Sequence, residues 1–143
     1  NVDGLHQAGG AERVIDLHGR LDRVVCLSCG ATTPRSDVRA RLDAVNAEWR
    51  ATVTAVNPDG DVDLPDDQLD GFTVVDCDRC GGLLKPDVVF FGENLKAAVR
   101  SAAHGAVEGS DAVVVAGTSL AVYSAFSLVK RAAGNGTPRR VSW

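Results

Sequence analysis

Four cysteines stand in two Cys-x-x-Cys pairs, Cys26 with Cys29 and Cys77 with Cys80, each followed directly by glycine. Thiolates are soft donors, and two such pairs close a tetrahedron around a borderline divalent ion, so the pattern predicts one structural zinc. With four sulfurs bound, the ion keeps no open position for water or substrate. The competing readings are an iron–sulfur centre and, in an oxidising compartment, two disulfides. Ahead of the first pair stands His18, at the end of "RVIDLH" and followed by Gly19. The zinc does not need it. His18 is then either a packed histidine or a catalytic one. An imidazole with an unperturbed pKa near ~6.5 exchanges protons near neutrality, and the glycine beside it allows close approach of backbone or ligand.

Two further stretches carry weaker signals. "VVVAGTS" offers a short strand and a turn of small residues, Gly117, Thr118 and Ser119, whose N–H groups and hydroxyls suit a nucleotide. It is not Gly-x-Gly-x-x-Gly, and tight packing explains Gly117 equally well. "NVDGLH" sets Asn1 and Asp3 close to a glycine, a set that can bond a ribose or simply form an Asx-type turn.

The elements that must position these residues follow from periodicity. "RVIDLHG" predicts a short buried strand ending at Gly19, and "LDRVVC" a strand running into the first cysteine knuckle. From Ser36 as N-cap, Val38, Leu42, Val45 and Trp49 recur at helical spacing. "NPDGDVDLPDDQLDG" predicts an exposed acidic loop, and "FTVVD" a strand into the second knuckle. Pro86 fixes an extended entry to the apolar run 88–91. Leu95, Ala98, Val99, Ala102, Ala103 and Ala106 mark one face of a helix. "DAVVVAG" has the continuous apolar character of a buried parallel strand. Val122, Phe126, Val129 and Ala133 mark a last helix, ended by Gly134-Asn135-Gly136, with a new strand beginning at "RRV". This order is α/β: part of a Rossmann-like parallel sheet, residues 1–20 and 86–143, with a small zinc-ribbon module inserted at 21–85. The 47 residues between Cys29 and Cys77 exceed what a compact ribbon needs.

The bulk composition narrows the class. A chain of 143 residues with 45% hydrophobic content can bury one core. A net charge of −4 argues against electrostatic capture of nucleic acid, and no apolar run reaches the ~20 residues of a membrane span. The polar opening "NVD" shows no leader peptide. There is no methionine, and the chain stops as a strand begins, so a segment of a longer protein is expected. Arginine far outnumbers lysine, which suits a high-GC bacterial genome and a cytoplasmic setting. A mitochondrial matrix would suit the thiolate site equally.

Taken in order, "NVDGLHQAGG", "IDLHG", the two cysteine pairs, "LKPDVVFFGE" and "GTSLAVYSA" resemble the sirtuins, the NAD-dependent protein deacylases. The long insert and "VYSA" resemble the class II branch that includes the sirtuin 4 type. The resemblance implies that His18 is the catalytic base. It implies that Asn1, Val2 and Asp3 line the nicotinamide-ribose pocket, and that Gly117, Thr118 and Ser119 contact the adenosine side of NAD. Val88, Phe90, Phe91, Gly92 and Glu93 would form the edge where an acyl-lysine peptide adds as a strand. The implied reaction transfers the acyl group from lysine to ADP-ribose with release of nicotinamide. The family's "GAGxS" turn, the glutamine before the asparagine and a later "NxG" lie outside the chain, so the segment alone is expected to be inactive. A zinc ribbon that recruits partners without chemistry is the alternative, and ADP-ribosyl transfer or lipoamide-type deacylation on the same scaffold remains open.

Overall fold

The computed structural model describes residues 1–50, 55–56, 62–63, 65, 67 and 69–142. The chain divides into two compact units: residues 1–21 with 88–143, and residues 22–87.

In the first unit, a short helix α1 (Leu5–Ala8) follows Asp3, whose carboxylate accepts from the Leu5 amide at 3.0 Å and from the Asn1 side chain at 2.6 Å. The Asx-type turn read as one option for "NVDGLH" is thus formed. The predicted strand over "RVIDLHG" is not. Residues 14–16 join no ladder and Ile15 is 43% exposed. Leu17 and His18 lie in a turn closed by the Gly19 amide on the Asp16 carbonyl at 3.0 Å. Gly19 has φ 83°, a conformation that favours glycine, and it opens strand β1 (Gly19–Cys26).

Helix α3 (Ala97–Glu108) packs on helix α4 (Tyr123–Gly134). Strand β6 (Val113–Ala116) pairs in parallel with strand β7 (Arg139–Ser142), from Val113 opposite Arg139 to Ala116 opposite Ser142. This is the expected α/β order. The faces differ from those read by periodicity. On α3 the covered residues are Val99, Ala103 and Val107, while Ala98, Ala102 and Ala106 are exposed. On α4 Ser124, Ala125, Ser127, Leu128 and Val129 are half-buried and Ala132 is fully buried, so of the four residues read by spacing only Val129 is covered. Val122, Phe126 and Ala133 lie on the open side. α4 carries apolar residues around most of its circumference, so spacing alone does not choose a face. Likewise β6 is not buried on both faces, because Val115 is buried and Val114 is 72% exposed. The end of α4 is as expected. The Thr137 amide reaches the Ala132 carbonyl at 3.0 Å and the Gly136 amide the Ala133 carbonyl at 3.2 Å, with Gly136 at φ 71°. That is a Schellman stop.

The second unit holds a three-stranded sheet in the order β2-β1-β5, with β2 (Thr32–Pro34) antiparallel to β1 and β5 spanning Leu84–Val88. Val24, Val25 and Cys26 of β1 and Asp87 of β5 are buried, and Asp87 pairs with Arg23 at 3.2 Å. Helix α2 (Arg35–Val45) starts after Pro34, one residue ahead of Ser36, so Ser36 lies inside the first turn and bonds Asp37 instead of capping. Trp49 lies beyond α2 and meets Phe72 edge-on at 4.8 Å between ring centres. A two-residue antiparallel ladder joins β3 (Ala55–Val56) to β4 (Val62–Asp63). The rest of the predicted acidic loop lies mostly outside the described residues. No strand forms over 72–76. There the Asn46 side chain takes the partner strand's role: its Nδ2 donates to the Thr73 carbonyl at 2.8 Å and its Oδ1 accepts from the Thr73 amide at 2.7 Å. Among the described residues, no helix is long and apolar enough to cross a membrane.

Candidate active site and metal centre

The two cysteine pairs are built alike. In each, a glycine after the second cysteine, Gly30 or Gly81, sits at φ 69°. Its amide returns to the carbonyl of the first cysteine, Gly30 to Cys26 at 3.0 Å and Gly81 to Cys77 at 2.8 Å. This tight turn aims both sulfurs of a pair to one side, and a side chain at positive φ would strain it. The four Sγ atoms lie within 4.8 Å of one another, with Cys26 and Cys80 3.5 Å apart and Cys29 and Cys77 3.9 Å apart. A tetrahedron with Zn–S arms of ~2.3 Å has edges of about 3.8 Å. The donor set and its spacing therefore fit zinc, and the thiols form no disulfide. Gly82 is a close-approach glycine: a Cβ there would collide with the Ser28 hydroxyl and lie 2.7 Å from the Ser28 Cβ and 3.0 Å from the Cys26 Sγ.

The thiols are electrostatically unequal. The Cys29 amide, directed at the Cys26 sulfur, lowers the Cys26 pKa to about 6. At Cys80 the Gly82 amide favours the thiolate, but the neighbouring sulfurs, Cys26 first, outweigh it and push the pKa up to about 12. A metal takes the four sulfurs as thiolates, so its binding releases thiol protons.

In the first unit, His18 lines a cavity of about 540 Å³. Its floor comes from the turn that precedes β1, one wall from the segment after β5 and another from α3 and α4. The Val89 amide donates to the His18 carbonyl at 2.9 Å, which fixes the two segments side by side. Val88, Phe90, Phe91, Gly92 and Glu93 all line this cavity with His18. Glu93 closes its own turn: its Oε2 accepts from the Phe90 amide at 3.0 Å and its amide donates to the Phe90 carbonyl at 3.0 Å. Phe91 is 99% exposed, its ring open to solvent. Burial lowers the His18 pKa below its ordinary 6.5.

Asn1, Val2, Asp3 and residues 117–119 are not among the lining residues of that cavity. The Val2 carbonyl accepts from the Leu21 amide at 2.9 Å, which ties the first residues to β1. In the turn after β6, Gly117 has φ 65° and Leu120 has φ 54°, and the Leu120 amide donates to the Thr118 Oγ1 at 3.1 Å. A leucine at positive φ is strained backbone, retained where surrounding structure demands it. The sequence reading missed Ser124, whose Oγ lies 2.7 Å from the His18 Nε2. The contact spans 106 positions, so no local pattern announces it.

A parallel α/β unit with a histidine-bearing cleft, on a chain that also carries a four-cysteine cluster fit for zinc, defines the class. The Sir2 family model matches residues 1–124, and the chain belongs to the Sir2 family. It is 51% identical over 138 residues to an NAD-dependent protein deacetylase 1 of Streptomyces coelicolor, covering 96% of this chain and 46% of that protein. It is 50% identical to an NAD-dependent protein deacetylase 2 of Bradyrhizobium diazoefficiens, again over 96% of this chain and 50% of the relative. The chain thus spans about half the length of the curated relatives it matches. Among solved structures, a Sir2 protein bound to acetylated peptide superposes with a TM-score of 0.71 at 27% identity, covering 99% of this chain and 48% of that one. A Sir2 homologue in complex with NAD gives 0.68 at 33% identity, covering 99% and 43%.

Proposed function

We propose that the chain is the part of an NAD-dependent protein-lysine deacylase that carries the catalytic base, the acyl-peptide edge and a structural zinc. The observation that carries this reading is the cavity in which His18 faces the 88–93 segment. Sir2 membership and relatives named as NAD-dependent deacetylases supply its chemistry. NAD, as co-substrate, supplies the ribose carbon that receives the acyl oxygen, and nicotinamide as the leaving group. His18 accepts the proton of a ribose hydroxyl as that hydroxyl attacks the acyl carbon. Burial supports this role, because a depressed pKa keeps the ring neutral at neutral pH. Asn1, Val2 and Asp3 are assigned to the nicotinamide ribose, and Gly117, Thr118 and Ser119 to the adenosine side, where the turn after β6 offers backbone N–H groups. The acyl-lysine peptide adds as an extended strand along Val88, Phe90, Phe91, Gly92 and Glu93, by main-chain bonds that read little sequence.

Cys26, Cys29, Cys77 and Cys80 hold the zinc. Four thiolates fill its shell, so the metal maintains the fold and has no position for substrate. Four reduced thiols suit a reducing compartment, which supports a cytoplasmic setting. The long segment between the cysteine pairs and the "VYSA" stretch support the class II branch.

The test is product analysis. The natural full-length protein, given acetyl-lysine peptide and NAD, should form deacetylated peptide, nicotinamide and O-acetyl-ADP-ribose in equal amounts by mass spectrometry. Free acetate formed without NAD consumption would overturn the reading.

A further inference from the structure

Ser124 is the second residue of α4, so its backbone is set by the first helical turn. Its Oγ meets the His18 Nε2 at 2.7 Å. The Ser127 hydroxyl, one turn further on, is committed to the Ser124 carbonyl at 2.8 Å. Among the described residues, Ser124 is therefore the side chain that holds the ring.

A serine hydroxyl has one proton and two lone pairs on a rotor. Accepting from Nε2–H, it leaves the Nδ1 lone pair free to take a proton, and it keeps the same bond when the ring becomes a cation. A base that gains and loses a proton in each turnover needs such a partner. A carboxylate at that place would favour the cation, and a backbone amide the neutral ring. We infer that Ser124 is a positioning residue for His18, its hydroxyl holding the imidazole against the cavity wall in both protonation states. The inference rests on His18 being the base proposed above.

Other charged or titratable groups bear on the ring. Glu93 from the turn after β5 and Arg100 and His104 from α3 share the cavity with His18. A Ser124 variant leaves all of them in place, so a difference between variants isolates the hydroxyl. The bond to the cation is charge-assisted and the stronger of the two. Removing the hydroxyl therefore costs the cation more, and the His18 pKa should fall by roughly 0.5–1 unit in Ser124→Ala. A serine that only fills space acts the other way: alanine admits water to the ring and the pKa climbs towards its ordinary value.

The experiment is a titration of the zinc-loaded protein by NMR with ring-labelled histidine, the His18 signal being assigned by its loss in His18→Gln. The expected result is a lowered pKa in Ser124→Ala and a value near wild type in Ser124→Thr, which keeps the hydroxyl. In the deacylation assay kcat should drop about tenfold in the alanine variant with KM little changed, and threonine should restore it. An unchanged or raised His18 pKa in Ser124→Ala overturns the inference. Failure of the catalytic reading has a different signature: His18→Gln enzyme would deacylate at the wild-type rate while the titration still showed the Ser124 bond.

Discussion

His18 shows how burial and reactivity are linked at a single residue. Its pKa is lowered by desolvation, so the neutral, proton-accepting ring persists below the pH at which a free histidine would titrate. The acid limb of kcat/KM should accordingly fall below pH ~6.5, and a pH–rate profile checks it. A limb centred well above that value would show the ring stabilised as a cation. The same depression ties stability to pH. The folded state prefers the neutral ring, so this contribution is complete above the unfolded pKa and is lost as pH falls through the lowered folded value. Gly82 is the second telling residue. An added Cβ meets Ser28 and the Cys26 sulfur, so Gly82→Ala should distort the first knuckle from the second and destabilise the zinc module by about 1–3 kcal/mol. Thermal melting and zinc loss to a chelator measure this. An alanine variant that melts and holds metal like wild type would show that the two knuckles can yield.

At the scale of elements, α4 decides which face of the chain is interior. Ala132 is fully buried and its neighbour Ala133 is exposed. Ala132→Leu should destabilise by about 1–3 kcal/mol through overpacking, and Ala133→Leu should change stability by less than about 0.5 kcal/mol. Equal losses in denaturant titrations would mean that the helix phase is wrong. The sequence could be read correctly where one short stretch carries its own geometry. The cysteine pairs needed only their spacing, and the end of α4 only its glycines. It could not be read where a distant partner decides. The apolar spacing on α4 fitted an open face as well as the buried one, and residues 72–76 looked like a strand but are held by side chains, Asn46 on Thr73 and Arg41 on the Asp76 carbonyl. His18 was legible as a candidate because a histidine beside glycine is chemically informative. Ser124 was not, because its importance arises only when α4 folds back on the turn that carries His18.

At the scale of the whole molecule, the zinc site and His18 belong to separate units of the chain, and β1 runs from Gly19, next to His18, to Cys26. Chemistry falls to the unit that carries His18 and structure to the unit that carries the cysteines. The variant His18→Ala in the natural full-length protein separates these assignments in one preparation, by deacylation rate alongside zinc content. Loss of a general base typically removes about 10²–10⁴ of the rate. The expected result is a loss of that size with zinc unchanged at one per chain. A variant that keeps half its activity, or one that loses its zinc with the imidazole, would contradict it.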